Sequence, residues 1–217
     1  MDFVFEQHRT GGDRNFGYLL GDRSAGVAAL VDPAWEPEAL VHRAGVQGLE
    51  VELVVNTHGH ADHTNGNARV RELTDADLLA HRSAGSDPDR PVEDGDAVRL
   101  GGLELRFLHV PGHADDHLLV HVPEHRVALT GDLLFVGKIG GTSGERDARR
   151  ERESLERVLD ELPEETTVWP GHDYGCRPAS TLRLERATNP FLRCEDFETF
   201  LRLKREWAGF KDEHGLV

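Results

Sequence analysis

Cysteine is scarce in this chain, which has only Cys176 and Cys194 among its 217 residues. Two cysteines are too few for the disulfide framework of a small secreted protein, so we expect reduced thiols, with Cys176 as a small buried residue. The chain also has no apolar run near the ~20 residues that a transmembrane helix requires. Its first residues lack the basic and apolar segments of a secretory signal. We therefore expect a cytoplasmic protein without a membrane partner.

Lysine is almost absent as well. Only Lys138, Lys204 and Lys211 are lysines, and 40 acidic residues against 25 basic ones give a formal net charge of −15. A surface of this sign repels phosphate groups, which excludes nucleic-acid and anionic-membrane partners. Acidic, lysine-poor surfaces are typical of halophilic proteins, because concentrated salt screens the repulsion between carboxylates. We therefore expect the stability of this protein to rise with salt.

The chain does contain many short apolar segments separated by turns, which predict strands at 3–5, 16–20, 27–31, 51–55, 78–80, 97–100, 103–110, 118–122, 127–130 and 168–169. Helices are predicted at 36–44, 67–73, 148–162, 178–187 and 195–207. Segment 83–95, rich in Gly, Pro and Asp, is predicted to be a loop. Strand-rich halves with outer helices favour an α+β fold, a four-layer αββα sandwich. We expect residues 1–217 to form one domain, with C-terminal helices from about residue 177.

One predicted loop carries an unusual concentration of possible metal ligands. His58, His60, Asp62 and His63 lie within six residues, directly after the strand 51–55 and before the helix 67–73. Histidines two residues apart on such a turn can converge on one cation, and the carboxylate and imidazole that follow can bind a second. Packing does not explain three imidazoles and a carboxylate on one loop, so the pattern predicts a metal centre.

Three later residues complete the predicted ligand set. His113, Asp132 and His172 each follow a predicted strand, and each comes directly after a glycine. Glycine allows the backbone to turn sharply there, and a strand end is rigid enough to hold a ligand in place. The sequence therefore predicts that all seven side chains meet at one site.

The ordered series His-x-His-x-Asp-His, His, Asp, His resembles the metallo-β-lactamase superfamily over nearly the whole chain. The resemblance implies the αββα fold of that superfamily and a site for two metal ions. It assigns His58, His60 and His113 to the first metal. It assigns Asp62, His63 and His172 to the second metal, with Asp132 bridging both and a hydroxide between them.

Imidazole nitrogens and carboxylate oxygens suit zinc, with iron or manganese as alternatives. A hydroxide between two divalent cations is a nucleophile at neutral pH, and the cations also stabilise a developing negative charge. We expect it to attack a carbonyl, with Asp62 and Asp132 as the catalytic residues that hold it in position. A thiol has a pKa near 8.5, so a thiolate can leave without a strong general acid. These points favour hydrolysis of a small-molecule thioester.

Two families within the superfamily remain open. Segments 130–137 and 170–174 are similar to glyoxalase II, the hydroxyacylglutathione hydrolases, and this resemblance implies that Lys138 binds the thiol part of the substrate. Segment 139–142 departs from the pattern of that family, so the identity of the thiol in the substrate stays open. The persulfide dioxygenases, which use one iron held by the equivalents of His58, His113 and Asp132, resemble segments 5–7, 170–175 and 189–190. Their arginine-bearing Cys-Gly-Arg-Thr-Asp loop is absent here, and Gly140-Gly141-Thr142 stands nearby. We favour the thioester hydrolase.

Several other residues have a plainer interpretation. Tyr174 is a candidate for a hydrogen bond to substrate, or it supports the turn at His172. We expect His117 to be a surface residue at the start of a strand, although it lies four residues after His113. Solvated strand or turn positions are also expected for three further histidines: His109, His121 and His125. The oligomeric state stays open.

Overall fold

The computed structural model describes residues 2–214 as two six-stranded sheets with helices on their outer faces. In the first sheet the spatial order of the strands follows the chain: β1 (Phe3–Gly11), β2 (Asn15–Asp22), β3 (Val27–Val31), β4 (Glu50–Val55), β5 (Asp77–His81) and β6 (Arg90–Val92). The pairs β1–β2 and β2–β3 are antiparallel, whereas β3 to β6 pair in parallel. The parallel strands are linked through helices or longer loops, as parallel pairing requires.

The second sheet has the spatial order β14-β13-β10-β9-β8-β7. Its strands are β7 (Ala97–Leu100), β8 (Leu103–His109), β9 (Leu118–Val122), β10 (Val127–Gly131), β13 (Thr167–Pro170) and β14 (Ser180–Thr181). A small hairpin, β11 (Leu134–Phe135) and β12 (Lys138–Ile139), follows β10. Only β10 and β13 pair in parallel within this sheet, and α4 connects them.

Within the described residues, six α-helices complete the layers: α1 (Pro37–Val46), α2 (Ala61–Thr64), α3 (Asn67–Leu73), α4 (Glu145–Glu161), α5 (Leu182–Thr188) and α6 (Phe197–His214). Pro37 starts α1, where its missing N–H costs nothing. The side chain of Thr181 caps α5 by accepting a hydrogen bond from the N–H of Leu184 (3.2 Å). Within residues 2–214, none of these helices is both long and apolar enough to cross a membrane.

Three apolar layers hold the sandwich together. Tyr18, Leu20, Phe107 and Val120 belong to the core between the two sheets. A second core lies between the first sheet and helices α1 and α3, and a third lies between the second sheet and helices α4 to α6. Because both faces of each sheet are covered, the central strands are apolar on both faces, as the buried run of β4 illustrates. The predicted αββα sandwich is confirmed.

The structure corrects some local expectations. Strand β6 lies inside segment 83–95, which was predicted to be a loop; Pro91 interrupts the strand pattern, but β6 is an edge strand, where proline is tolerated. His121 is buried rather than solvated, because it lies on the face of β9 that carries Leu119, a residue of the third core. His109 and His125 are partly buried. Cys176 was expected to be buried and is exposed.

Candidate metal centre

All seven predicted ligands lie at one end of the sandwich, where strands of both sheets finish. His58, His60, Asp62 and His63 follow β4 of the first sheet, and the other three follow strands of the second. Six of these residues form two separate triads of donor atoms, each compact enough to hold one cation, and His58, His63 and Asp132 form a third group that overlaps both. We call His58, His60 and His113 the first triad, and Asp62, His63 and His172 the second triad.

The first triad brings three ring nitrogens together, and they have too few N–H protons to form a hydrogen bond at each of their contacts. His60 Nδ1 lies 2.9 Å from His58 Nε2 and 3.0 Å from His113 Nε2. His58 Nδ1 and His113 Nδ1 have acceptors on their outer sides, Thr57 Oγ1 (3.1 Å) and the carbonyl of Gly141 (2.8 Å). With Nδ1 protonated, both Nε2 atoms present lone pairs to the centre of the triad.

The second triad is arranged in the same way, except that a carboxylate takes the place of one imidazole. His63 Nε2 and His172 Nε2 are 3.3 Å apart, and Asp62 Oδ2 lies 3.4 Å from His172 Nε2. His172 Nδ1 donates to the carbonyl of Asp13 (2.9 Å), and Asn15 Nδ2 donates to Asp62 Oδ2 (3.1 Å). These outer hydrogen bonds orient the ligands, as second partners of metal ligands generally do.

Asp132 lies between the two triads. Its Oδ2 is 3.5 Å from His113 Nε2 of the first triad and 3.3 Å from His172 Nε2 of the second. Its Oδ1 is 3.4 Å from His63 Nε2, is buried, and lacks a hydrogen-bond partner among the residues described. A carboxylate in this position can contact a cation in each triad.

The donor set fits two divalent cations. Four nitrogens at the 2.0–2.1 Å distance typical of zinc would lie about 3.3 Å from one another, close to the spacings within both triads. Imidazole and carboxylate donors without cysteine also suit iron or manganese. The structure therefore brings together every residue predicted to bind metal, and binding itself stays a prediction.

The electrostatics of the centre follow from burial and from its own charges. Burial lowers the pKa of His58 well below its ordinary value, which favours the neutral form that binds metal. Burial also acts to lower the pKa of His63, but the carboxylates of Asp32 and Asp132 outweigh it and raise that pKa well above its ordinary value. Burial opposes ionisation of Asp132, yet His63 and His172 hold its pKa well below the usual range.

Asp32 supports residues of both triads, a role that the sequence motifs do not predict. This buried residue follows β3, and its Oδ2 accepts hydrogen bonds from His63 Nδ1 (2.9 Å) and Thr57 Oγ1 (2.7 Å). Its Oδ1 accepts from the backbone N–H of Thr57 (2.8 Å). Thr57 is in turn the partner of His58, so one carboxylate orients His63 directly and His58 through Thr57. The signal in the sequence was an acidic residue at a strand end near the same sheet edge.

His117 is buried within the centre and is not the surface residue that we expected. Its Nε2 accepts a hydrogen bond from the backbone N–H of Asp132 (3.0 Å), and its ring stacks on that of His58 at 4.9 Å. Burial lowers its pKa to about 3, so the ring is neutral and can accept this bond. His117 therefore fixes the backbone that carries Asp132. The strand-start position alone did not distinguish this role from an exposed one.

An open cavity of about 400 Å³ leads to the centre. Lys138 and Arg14 lie near the ring of Tyr174, with Lys138 Nζ 4.2 Å and Arg14 Cζ 4.9 Å from its centroid. The ring stacks on His172, and the hydroxyl donates to Asp13 Oδ2 (2.5 Å). Lys138 and Tyr174, both predicted to contact substrate, thus line the cavity beside the ligands.

Comparison with known proteins agrees with this geometry. The pattern of the metallo-beta-lactamase superfamily matches residues 10–172. A hydroxyacylglutathione hydrolase from Polaromonas is 38% identical, over 92% of this chain and 89% of its own length. The human mitochondrial persulfide dioxygenase ETHE1 is 34% identical, over 84% of this chain and 74% of its own length.

Solved structures give the same result. ETHE1 from Myxococcus xanthus superposes with a TM-score of 0.87 at 32% identity, covering 94% of this chain and 91% of its own. The di-iron-bound form of TTHA1623 superposes with a TM-score of 0.71, also at 32% identity, covering 86% of this chain and all of its own. In sequence, fold and arrangement of donor residues, the chain belongs to the metallo-β-lactamase superfamily.

Proposed function

We propose that this protein is a metal-dependent hydrolase that cleaves the thioester of a low-molecular-weight thiol. The observation that carries the proposal is the pair of compact triads joined by Asp132, because hydrolases with two cations use a shared carboxylate of this kind to hold both at one reacting centre. Zinc is the first candidate for both cations, with iron or manganese as alternatives. The 38% identity to a hydroxyacylglutathione hydrolase supports the same class of reaction.

The residues of the chain have separate tasks in this reaction. When bound, the two cations would supply a nucleophile derived from water at neutral pH and would polarise the carbonyl of the substrate. Asp132 and Asp62 would orient the attacking water, and Asn15 holds Asp62 in position. Phe135 and Tyr174 supply the apolar wall of the cavity. Because the Tyr174 hydroxyl already donates to Asp13, we expect the ring rather than the hydroxyl to contact the substrate.

The charges at the cavity also suit an anionic substrate and a thiolate leaving group. Lys138 and Arg14 place positive charge at the mouth of an otherwise acidic protein, so they attract an anionic substrate and hold the departing thiolate. A thiolate needs no proton from the protein to leave, because thiols ionise near pH 8.5. A thioester is therefore a better match to these residues than an amide, whose leaving amine requires a general acid.

Persulfide dioxygenation is the second candidate. The 34% identity to human ETHE1 and the TM-score of 0.87 to the Myxococcus protein favour it. It would use a single iron at His58, His113 and Asp132. Against it stands the segment Gly140-Gly141-Thr142, which has no cationic side chain where the persulfide dioxygenases carry an arginine-bearing loop.

Metal analysis combined with two activity assays separates these candidates. The metal content of protein purified without added metal is measured first. The same protein is then assayed for thiol release from thioesters such as lactoylglutathione, and for oxygen uptake with glutathione persulfide. We expect two metal equivalents and thiol release without oxygen uptake. One iron per chain with oxygen uptake would instead establish the dioxygenase.

Variants link the activity to the centre. We expect H58A and D132A each to lose thiol release, because each removes a donor atom from the centre. The matched control is H42A, which removes an exposed histidine of α1 outside both triads. Full activity in H58A and D132A would refute both enzymatic candidates.

A further inference from the structure

A buried ion pair joins helices α4 and α6, and its lysine also contacts the segment beside the metal centre. Glu151 of α4 is fully buried, and the side chain of Lys204 of α6 is only 10% exposed. Lys204 Nζ donates one hydrogen bond to Glu151 Oε2 and another to the backbone carbonyl of Gly140 (2.8 Å). A buried charge pair of this kind costs desolvation, so it is weak support for stability on its own. Its geometry indicates a role in positioning.

Gly140 and Gly141 lie directly against the first triad. The carbonyl of Gly141 accepts the hydrogen bond from His113 Nδ1 (2.8 Å), which sets the tautomer of that ligand. A Cβ added to Gly140 would lie 3.0 Å from His113 Nδ1 and 2.0 Å from the carbonyl oxygen of Asp132. The segment is therefore closely packed between a ligand of the first triad and the bridging aspartate, and a small shift of Gly140 must move the acceptor of His113.

Glu151 lies against the backbone that leads into His113. Gly112, the residue before His113, has a φ of +146°, and an added Cβ there would lie 2.4 Å from the Cα and the Cβ of Glu151. The two hydrogen bonds of Lys204 thus connect two elements next to His113: α4, which contacts Gly112, and the segment from Gly140, which contacts the imidazole. Lys204 itself belongs to α6, which packs on α4 through the third core.

We propose that Lys204 is a positioning residue for His113, and that it controls the metal affinity of the first triad without touching a metal ion. This inference rests on the proposed function only in that the first triad must bind a cation. In K204M the methylene stem remains, but the hydrogen bond to Gly140 is lost. The Gly141 carbonyl then loses its fixed position, and His113 loses the partner that aims its Nε2 into the triad. The second triad, whose outer partners are Asp32, Asp13 and Asn15, keeps them all.

Cobalt titration of the full chain tests this directly. Metal is removed, Co²⁺ is added back, and its visible absorption and competition with a chelator give the dissociation constant of each site. We expect two sites in the wild type, and in K204M a loss of about 10- to 100-fold at one site only, the range found for second partners of metal ligands. Wild-type protein without a cation at the first triad would refute the proposed function, whereas two wild-type sites with unchanged constants in K204M would refute the inference alone.

The site affected is identified with H113A, which removes a ligand of the first triad. If Lys204 acts through His113, K204M adds little further loss in the H113A background, and a full additive loss overturns the proposal. The control R205M removes the neighbouring cation of α6, whose partner is Glu145 and which makes no hydrogen bond to Gly140 in the described residues. It should leave both dissociation constants unchanged, and an equal loss in R205M would overturn the proposal.

A double variant separates positioning from folding. In K204M with E151L no unpaired buried carboxylate remains, so the fold is kept if K204M alone is too unstable to study. We expect the double variant to unfold near the wild-type temperature and still to bind Co²⁺ weakly at the first triad. If the double variant recovered both the wild-type affinity for Co²⁺ and the wild-type stability, the ion pair would only stabilise the fold, and the inference would be wrong.

Discussion

Asp32 is the most informative residue to change, because one carboxylate orients ligands of both triads. We choose D32N, since asparagine tolerates the left-handed backbone of this position (φ 47°) and keeps the size of the side chain. The amide oxygen can still accept from the N–H of Thr57. Oδ2 of Asp32 accepts two hydrogen bonds, from Thr57 Oγ1 and His63 Nδ1. In the variant an NH₂ group takes its place, faces these two donors and cannot accept from either.

The magnitude follows from those two bonds. Hydrogen bonds to a charged group contribute about 1.5–3 kcal/mol each, and part of that is recovered if His63 or Thr57 rotates, so we expect a loss of about 3 kcal/mol in the free energy of unfolding. For a chain of this length that corresponds to a fall of about 6–12 °C in Tm. Because the tautomer of His63 is no longer set, we also expect a loss of about 10- to 100-fold in metal affinity at the second triad.

Thermal unfolding with and without chelator, together with chelator competition, measures both effects. D75N, an identical change at an exposed position, is the control and should alter neither quantity. If D32N bound both metal equivalents with wild-type affinity and unfolded within about 1 °C of the wild type, the assignment of Asp32 as a support of two ligands would be refuted.

Three further predictions concern stability. Burial and Arg106 lower the pKa of His121 to about 4, so its contribution to the free energy of unfolding is complete above pH 6.5 and is lost as the pH falls toward 4. Between pH 7 and 4.5, the free energy of unfolding of H121L in urea should therefore fall by about 2 kcal/mol less than that of the wild type. Equal falls in the two proteins would contradict this prediction. In G66A the new Cβ would lie 1.7 Å from the Pro33 carbonyl oxygen, and we expect a loss of more than about 2 kcal/mol in urea unfolding, against G45A, where the added Cβ has open space. With a net charge of −15, the protein should show a higher Tm in 2 M than in 0.1 M KCl, and a flat or falling Tm would rule out salt adaptation.

The convergence of the seven candidate ligands could be predicted because each lies in a short motif after a strand. His58 and His60 lie on the turn after β4, Asp62 and His63 lie in the short helix α2 that follows, and His113, Asp132 and His172 each follow a glycine near a strand end. Gly131 shows why: it has a φ of +48°, and an added Cβ would lie 2.8 Å from Thr57 and His117. Local sequence carries this information, so the convergence of the seven side chains followed from the motifs.

The supporting residues could not be predicted in the same way. Asp32 meets Thr57 and His63 only because β3 and β4 pair in parallel, which places their ends side by side. His117 is buried because the loop carrying Asp132 folds over it, a contact that its own neighbours in sequence do not reveal. The ion pair of Lys204 joins residues 53 positions apart. Each depends on tertiary packing, and no single segment specifies it.

Each triad takes ligands from both sheets, two from the first and one from the second. A bound cation therefore cross-links the two halves of the sandwich, and the halves cannot separate without releasing it. Binding of this kind adds roughly 4 kcal/mol to the free energy of unfolding when free metal is 1,000 times its Kd. The metal would thus hold the two sheets together, and amide hydrogens of β2 or β9 that lie away from the metal centre should exchange faster once it is removed.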